Sequence, residues 1–339
     1  MNPDVAVIGA GAWGTTLALV LARRGYRPRV WEYLPDYAEV MRTTRRNPKY
    51  LPGVVLPDSL RITASLAEAV EGCTTWIMAT PSQRLRSVAQ ALARTGGKPE
   101  RVISAAKGIE QGSLQRMSEV LRAEFGPRPA VAVLSGPSHA EEVSREMPCS
   151  LVAASTDAET AEAVQGLFMS DAVRVYTSDD VVGVELGGSL KNVIAIAAGI
   201  VEGLGLGDNT KAALVTRGLA EIARLGLALG GRESTFMGLS GLGDLVVTCM
   251  SVHSRNRRVG EELGRGRTLD EILHDLEMVA EGVDTTRSAM GLASARGVDM
   301  PITEQVHRIL FSGVSPQEAL VRLMRRTPKA EHESRRKEG

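Results

Sequence analysis

Residues 5–8, Val5-Ala6-Val7-Ile8, run straight into Gly9-Ala10-Gly11-Ala12-Trp13-Gly14. Residues 15–24 then carry helical spacing, Gly25 stops them, and Arg29-Val30-Trp31 reads as a second strand. A G-x-G-x-x-G pattern is common in isolation. Set between a strand and a helix, it constrains the chain to a β-α-β unit whose turn can take a pyrophosphate. Gly9 permits the tight turn, Gly11 leaves the backbone bare to the anion, and Gly14 lets the helix lie close to the strand. The helix start adds unpaired N–H groups and the positive end of its dipole. Glu32, at the end of the second strand, can accept hydrogen bonds from a ribose diol and would repel a 2′-phosphate, which favours NAD over NADP. Arg24 and Arg29 are near enough in the chain to oppose that preference. The alternative is a glycine turn that serves packing alone.

Strand and helix signals alternate over the first half. Strands are expected at residues 61–63, 75–78, 102–104, 130–134, 150–154 and 173–176, with a loop over 47–57. Helices are expected at 34–44, 66–70 (capped by Ser65), 84–94, 113–125, 139–145 and 158–168. Repeated units of this length predict a parallel, doubly wound sheet. From residue 180 the strand signals almost vanish. Helical spacing covers 181–202, 210–229, 254–263, 268–274, 285–296, 303–311 and 316–325, separated by glycine clusters. The fold class is therefore α/β: a doubly wound, Rossmann-like sheet domain over residues 1–179, followed by an all-α second domain over 180–328. Residues 329–339 are charged and poor in apolar side chains, as in a disordered tail.

Composition narrows the functional classes. The 339 residues give room for two domains. Forty Lys+Arg balance forty Asp+Glu, so no global charge draws the chain to nucleic acid or to an anionic membrane. An anionic ligand needs a local cluster. Cys73, Cys149 and Cys249 are too scattered for a disulfide framework or a metal set, which fits reduced thiols in the cytoplasm. The five histidines have no metal-ligand spacing, and no metal is expected. No serine lies in a G-x-S-x-G turn, which disfavours a nucleophile-elbow hydrolase. The N-terminus lacks a leader pattern. The longest apolar region, residues 193–201, is short for a bilayer, so no membrane insertion is expected.

In an open parallel sheet ligands sit beyond the carboxyl ends of the strands. Thr80-Pro81-Ser82, Lys107 and Gly136-Pro137-Ser138 all follow expected strands and can line one cleft. Lys107 is either a site residue or a solvated cation. Lys191 lies between Gly187-Gly188-Ser189-Leu190 and the apolar run that starts at Val193. A cation in so apolar a helix needs a partner or a purpose. Desolvation makes it usable as a general acid or base; the alternatives are a structural ion pair, with Asp244 able to be the partner in either case, and a surface lysine that snorkels to solvent. Asp244 stands in the glycine-rich Gly241-Leu242-Gly243 turn, where an Asp also serves as an ordinary turn or cap residue. Ser254 can cap a helix that presents Arg255 and Asn256 in its first turn, a good phosphate site or a plain basic surface. Two lysines, a carboxylate and an anion pocket suit hydride transfer on a phosphorylated carbonyl or alcohol.

These motifs together resemble the NAD(P)-dependent glycerol-3-phosphate dehydrogenases of bacterial type. The likeness lies in the glycine turn with Thr15, Lys107-Gly108-Ile109-Glu110, Ser135-Gly136-Pro137-Ser138 and residues 187–195. It continues through 241–245, 254–258, Glu281-Gly282 and 300–304. The resemblance implies interconversion of dihydroxyacetone phosphate and sn-glycerol 3-phosphate with NAD or NADP, in a cytoplasmic homodimer that supplies glycerophospholipid synthesis. It implies Lys191 as the proton donor and acceptor, with Lys107 and Asp244 beside it. It implies substrate contacts from Lys107, Gly136, Ser138, Lys191, Asp244, Ser254, Arg255 and Asn256. Cofactor contacts would come from Gly9, Gly11, Ala12, Trp13, Gly14, Glu32, Tyr33, Lys107, Ala140, Arg255, Val279 and Glu281. Two other readings remain at this point: another hydroxyacid dehydrogenase, or a catalytically silent dinucleotide sensor.

Overall fold

The computed structural model describes residues 4–275, 279–328 and 330–331. Nearly all of the expected tail over 329–339 therefore lies outside the described residues. Ten strands are present among the described residues. They are β1 (Asp4–Ile8), β2 (Arg27–Trp31), β3 (Arg46–Asn47), β4 (Leu51–Val55), β5 (Arg61–Thr63), β6 (Thr75–Met78), β7 (Arg101–Ser104), β8 (Ala130–Ser135), β9 (Cys149–Ala154) and β10 (Val173–Ser178). Eight of them form one sheet in the order β10-β9-β8-β7-β6-β1-β2-β5. The strand order reverses beside β1, the arrangement that opens a crevice at the carboxyl ends. β6 is buried along its whole length and β1 from Val5 onward. Residues 5–8 and 76–78 are unbroken apolar runs because helices cover both faces of the sheet.

Three local expectations change. The sheet is not wholly parallel: β9 pairs with β8 antiparallel and with β10 parallel. The segment between β8 and β9 holds one short helix, Ala140–Val143, too little for a crossover back to the starting edge. Residues 47–57 are not a plain loop, since β3 and β4 pair there as an antiparallel hairpin outside the main sheet. The helix expected from residue 113 starts at Met117, because Gly112 and Leu114 take positive φ and Ile109 bridges to Arg116.

The helical half is built around Val181–Gly203, with Asp180 as its cap. One Asp180 carboxylate oxygen accepts from Gly183 N (2.8 Å), and the other accepts from Arg232 N (2.8 Å) and Thr235 Oγ1 (2.7 Å). This helix is long and apolar enough to cross a membrane by length and composition, beyond what residues 193–201 suggested, but its apolar window is wholly buried inside the protein. Around it pack Gly207–Ala228, Asp244–Met250, Arg255–Gly264, Glu281–Arg296 and Pro301–Ser312. The glycine cluster before Asp244 is a π-type turn, Leu239–Gly243, that runs directly into the Asp244–Met250 helix.

Backbone meets backbone where Arg255–Gly264 crosses the central helix. A Cβ on Gly199 would overlap the Arg257 carbonyl, and one on Gly260 would overlap the Ile196 carbonyl. No side chain can move aside there. Gly260→Val should therefore lower the unfolding free energy by about 3 kcal/mol or more. Gly166→Ala, on an exposed helical turn with nothing within 4 Å of a new Cβ, should raise it by roughly 0.5–1 kcal/mol. Urea unfolding of both variants checks the contrast.

Candidate active site

The glycine turn follows β1 and opens the Ala12–Arg23 helix. Gly9 has φ +117°, and a Cβ on it would lie 2.8 Å from the Ala79 carbonyl oxygen. A Cβ on Gly14 would overlap Gly9's own carbonyl, so only glycine lets the helix close on the turn. Gly11 differs: nothing lies within 4 Å of where its Cβ would be. Gly11 also gives the helix no side-chain cap, so the first-turn amides stay available. Two buried polar groups beside this space, Thr80 Oγ1 and Trp13 Nε1, have no protein partner. Open backbone, free amides and two unpaired groups fit a bound dinucleotide.

Glu32 follows β2 and is buried, with Oε1 accepting from Leu34 N at 3.0 Å. Burial pushes its carboxyl up from the ordinary range, against the pull of the neighbouring amides and of Lys49. The two arginines set against it in the sequence are engaged elsewhere. Arg29 donates to Asp4 Oδ2 (2.7 Å) and to the Glu68 carbonyl (3.0 Å). Arg24 donates to the Gly166 carbonyl (2.9 Å). The cation that acts on Glu32 is Lys49, which the β3–β4 hairpin delivers from a distance no local pattern reveals. Tyr33 is largely exposed and stands edge-on to Trp31. Ala140 is buried against the glycine-turn helix, where its carbonyl accepts from Thr16 Oγ1 (3.3 Å).

The chemistry-bearing residues converge at the ends of β7 and β8. Asp244 is buried, and its two oxygens are divided between two lysines. Oδ2 accepts from Lys107 Nζ at 2.6 Å, and Oδ1 accepts from Lys191 Nζ. Lys107 also donates to the Gly136 carbonyl (3.0 Å), which takes the Ser138 hydroxyl as well (3.0 Å). Burial raises the Asp244 carboxyl, but the two ammonium groups overcome this and hold it below the usual carboxylate range. Burial brings Lys191 down to about 8, with Lys107 adding to the effect and Asp244 opposing it. One carboxylate between two cations leaves this pocket net positive.

Thr248 completes the cluster. Its hydroxyl accepts from Lys191 Nζ (2.6 Å) and donates to the Asp244 carbonyl (2.6 Å). Sequence reasoning missed it. Asp244 and Thr248 are four apart and share a helix face, but that signal is visible only once Asp244 is known to begin a helix. Gly187 and Gly188 let the elements meet here. A Cβ on the first would lie 2.5 Å from the Ser240 carbonyl oxygen, and one on the second 2.5 Å from Ser135 Oγ.

The third group comes from the helical half. Ser254 caps Arg255–Gly264 by accepting from Arg257 N (3.2 Å). Arg255 is exposed, and its guanidinium donates to the Val279 carbonyl (3.0 Å). Asn256 is buried, and its Oδ1 accepts from Gly282 N (2.9 Å). A Cβ on Gly282 would lie 2.7 Å from the Asn192 carbonyl oxygen, so the start of this helix and the Lys191 region meet at one corner. Glu281 reaches across to the sheet, where one oxygen accepts from Ser82 N (3.0 Å) and the other from the Ser82 hydroxyl. Burial raises its carboxyl against those bonds.

The candidates thus occupy the carboxyl ends of five adjacent strands: Glu32 at β2, the glycine turn at β1, Thr80 and Ser82 at β6, Lys107 at β7, and Gly136 and Ser138 at β8. Four strand spacings amount to about 19 Å, the reach of an extended dinucleotide with a small substrate at one end. Glu32 and Tyr33 stand at the end far from the lysine cluster.

Two family models cover most of the chain. They are the N-terminal part of NAD-dependent glycerol-3-phosphate dehydrogenase over residues 4–161 and the C-terminal part over residues 180–321. A Chlorobium luteolum protein named glycerol-3-phosphate dehydrogenase (NAD(P)+) is 51% identical over 331 residues, which span 97% of this chain and 99% of the relative. A Salinibacter ruber protein of the same name, numbered 2, is 52% identical over 334 residues, covering 98% and 97%. The crystal structure of glycerol-3-phosphate dehydrogenase from Coxiella burnetii superposes with a TM-score of 0.93 at 40% identity, covering 96% of this chain and 99% of that one. With the fold matched and relatives about half identical along its whole length, the chain belongs to the NAD-dependent glycerol-3-phosphate dehydrogenase family.

Proposed function

We propose that this protein interconverts dihydroxyacetone phosphate and sn-glycerol 3-phosphate with NAD(P)H, residues 1–179 holding the cofactor and residues 180–328 the substrate. The observation that carries the reading is the buried Lys191–Asp244–Lys107 cluster beside a turn fitted for a dinucleotide. The family likeness supports the reaction and both cofactors. The same likeness is the ground for a cytoplasmic homodimer that supplies phospholipid synthesis.

Gly9, Gly11, Ala12, Trp13 and Gly14 hold the pyrophosphate, and Glu32 with Tyr33 faces the adenosine ribose. Ala140, Val279 and Glu281 border the cofactor where the two halves meet. When bound, the nicotinamide supplies the hydride that reduces carbon 2 of the ketone. Lys191 delivers a proton to the ketone oxygen in that direction and removes it in the other. Lys107 and Lys191 stabilise the oxygen as negative charge builds on it, in a pocket where burial strengthens the effect. Asp244 orients both ammonium groups and Thr248 fixes the Lys191 rotamer. Ser254, Arg255, Asn256 and the free amides of their helix take the phosphate, while Gly136 and Ser138 border the glycerol end.

The first test is NADH oxidation with dihydroxyacetone phosphate, repeated with NADPH and with unphosphorylated dihydroxyacetone. Oxidation with the phosphate ester alone is expected; equal rates with the unphosphorylated ketone would remove the Arg255 pocket. Lys191→Ala should cut turnover by about 10²-fold or more while NADH affinity, read by fluorescence titration, stays near wild type. Near-normal turnover would sink the assignment of that lysine. Arg255→Ala should raise KM for the phosphate ester by about tenfold, the loss of a charge-assisted contact. Because Lys191 loses its proton near pH 8, ketone reduction should fall and alcohol oxidation rise as pH passes through about 8. Asp244→Asn removes the charge that holds the proton on Lys191, so both limbs should move to lower pH in a kcat/KM profile.

A further inference from the structure

We propose that Asn47, on the β3–β4 hairpin, is a positioning residue for the dinucleotide turn. The inference rests on the reading of that turn as the cofactor site. It assigns the site's preorganisation to a residue 37 positions away in the chain.

Asn47 is fully buried, and every hydrogen-bonding capacity of its amide is used. Nδ2 donates to the Ala10 carbonyl (2.8 Å) and to Thr15 Oγ1 (2.8 Å). Oδ1 accepts from the Tyr37 hydroxyl (2.7 Å) and from Tyr50 N (3.2 Å). The partners leave no choice of amide orientation, because a carbonyl can only accept and a backbone N–H can only donate. Tyr37 is held in turn, its hydroxyl accepting from Lys49 N (2.9 Å) and its ring edge-on to Tyr50. Arg45 closes the base of the hairpin by donating to the Leu56 (3.3 Å) and Leu60 (3.0 Å) carbonyls.

The consequence for the turn follows from peptide geometry. In a planar trans peptide the C=O and the N–H point in opposite directions. Asn47 holds the Ala10 carbonyl inward, so the Gly11 N–H of the same peptide points away from the hairpin. A pyrophosphate needs that N–H. Thr15 Oγ1 also donates to the Ala10 carbonyl (3.1 Å), and it is oriented for this by accepting from Asn47. Without the hairpin amide the Ala10 carbonyl keeps only the Thr15 hydroxyl, itself no longer oriented by Asn47, so the peptide is held less firmly and the anion must order more of the turn as it binds. Preorganisation of this kind appears in affinity.

The test measures NADH dissociation constants by fluorescence titration and backbone hydrogen exchange over residues 10–16 in the ligand-free full chain. Asn47→Ala should weaken NADH about tenfold and speed exchange at those amides. KM for NADH should rise far more than kcat at saturating cofactor falls. Tyr37→Phe, which keeps the ring and removes one bond to Oδ1, should weaken NADH about threefold in the same direction. It stands in for Asn47→Ala if that variant does not fold. A variant that melts earlier but binds NADH with wild-type affinity and unchanged exchange would overturn the proposal, because that is the signature of a purely structural residue. Absence of NADH binding by the wild-type chain would instead overturn the functional reading, and the exchange measurement would still judge Asn47.

Discussion

The Asp244 carboxylate joins the two halves of this protein where the carboxyl end of β7 meets the central helix. Lys107 and Lys191 stand close enough to repel, and the repulsion adds to the burial that draws the proton off Lys191. Asp244 supplies one charge to both, through one oxygen each. Lys107 comes from the end of β7, Lys191 from the middle of the central helix, and Asp244 from the first turn of a third element. The ion cluster is therefore also a tether between the sheet and the helical half. Its net charge stays positive, which an alkoxide or a phosphorylated ketone would meet on entering the cleft.

That arrangement needs unusually close backbone approach, and glycine provides it. Gly187 and Gly188 admit the Ser240 carbonyl and the Ser135 side chain within the space a methyl group would fill. Gly199 and Gly260 do the same where the Arg255 helix crosses the central helix. The position of the Arg255 helix start relative to Lys191 is thus set by contacts that no larger residue permits. Glycine is a weak helix former, and its cost in the central helix is offset by burial on every side.

Further polar contacts fix the angle between the halves. Buried Glu185 of the central helix accepts from Ser118 N (2.7 Å), Ser118 Oγ (2.6 Å) and Arg116 Nη1 (2.5 Å). Ser189 Oγ donates to the Gly108 carbonyl (3.2 Å), and Glu281 clasps Ser82. Each carboxylate is buried at a cost that hydrogen bonds offset. Each would lose that compensation if the halves separated, so these contacts favour the packed arrangement of the two halves.

Much of this was legible along the chain. Periodicity located the eight strands of the main sheet and most helices, though not the β3–β4 hairpin, because the 2.0 and 3.6 repeats are local properties of backbone geometry. The strand–turn–helix context marked Gly9, Gly11 and Gly14. A lone cation in an apolar helix marked Lys191, and a serine ahead of a polar helix marked Ser254 as its cap. What the chain order hid depends on partners brought together from afar. The direction of β9 depends on which neighbour pairs with it. Thr248 became visible only when the Gly238–Gly243 region proved to lead into a helix. Asn47 meets Ala10 across 37 residues and Ser82 meets Glu281 across 199. Local sequence determines which backbone conformation is cheap at each position. Only packing decides which buried donor faces which acceptor, because that choice minimises unpaired polar groups over the whole molecule.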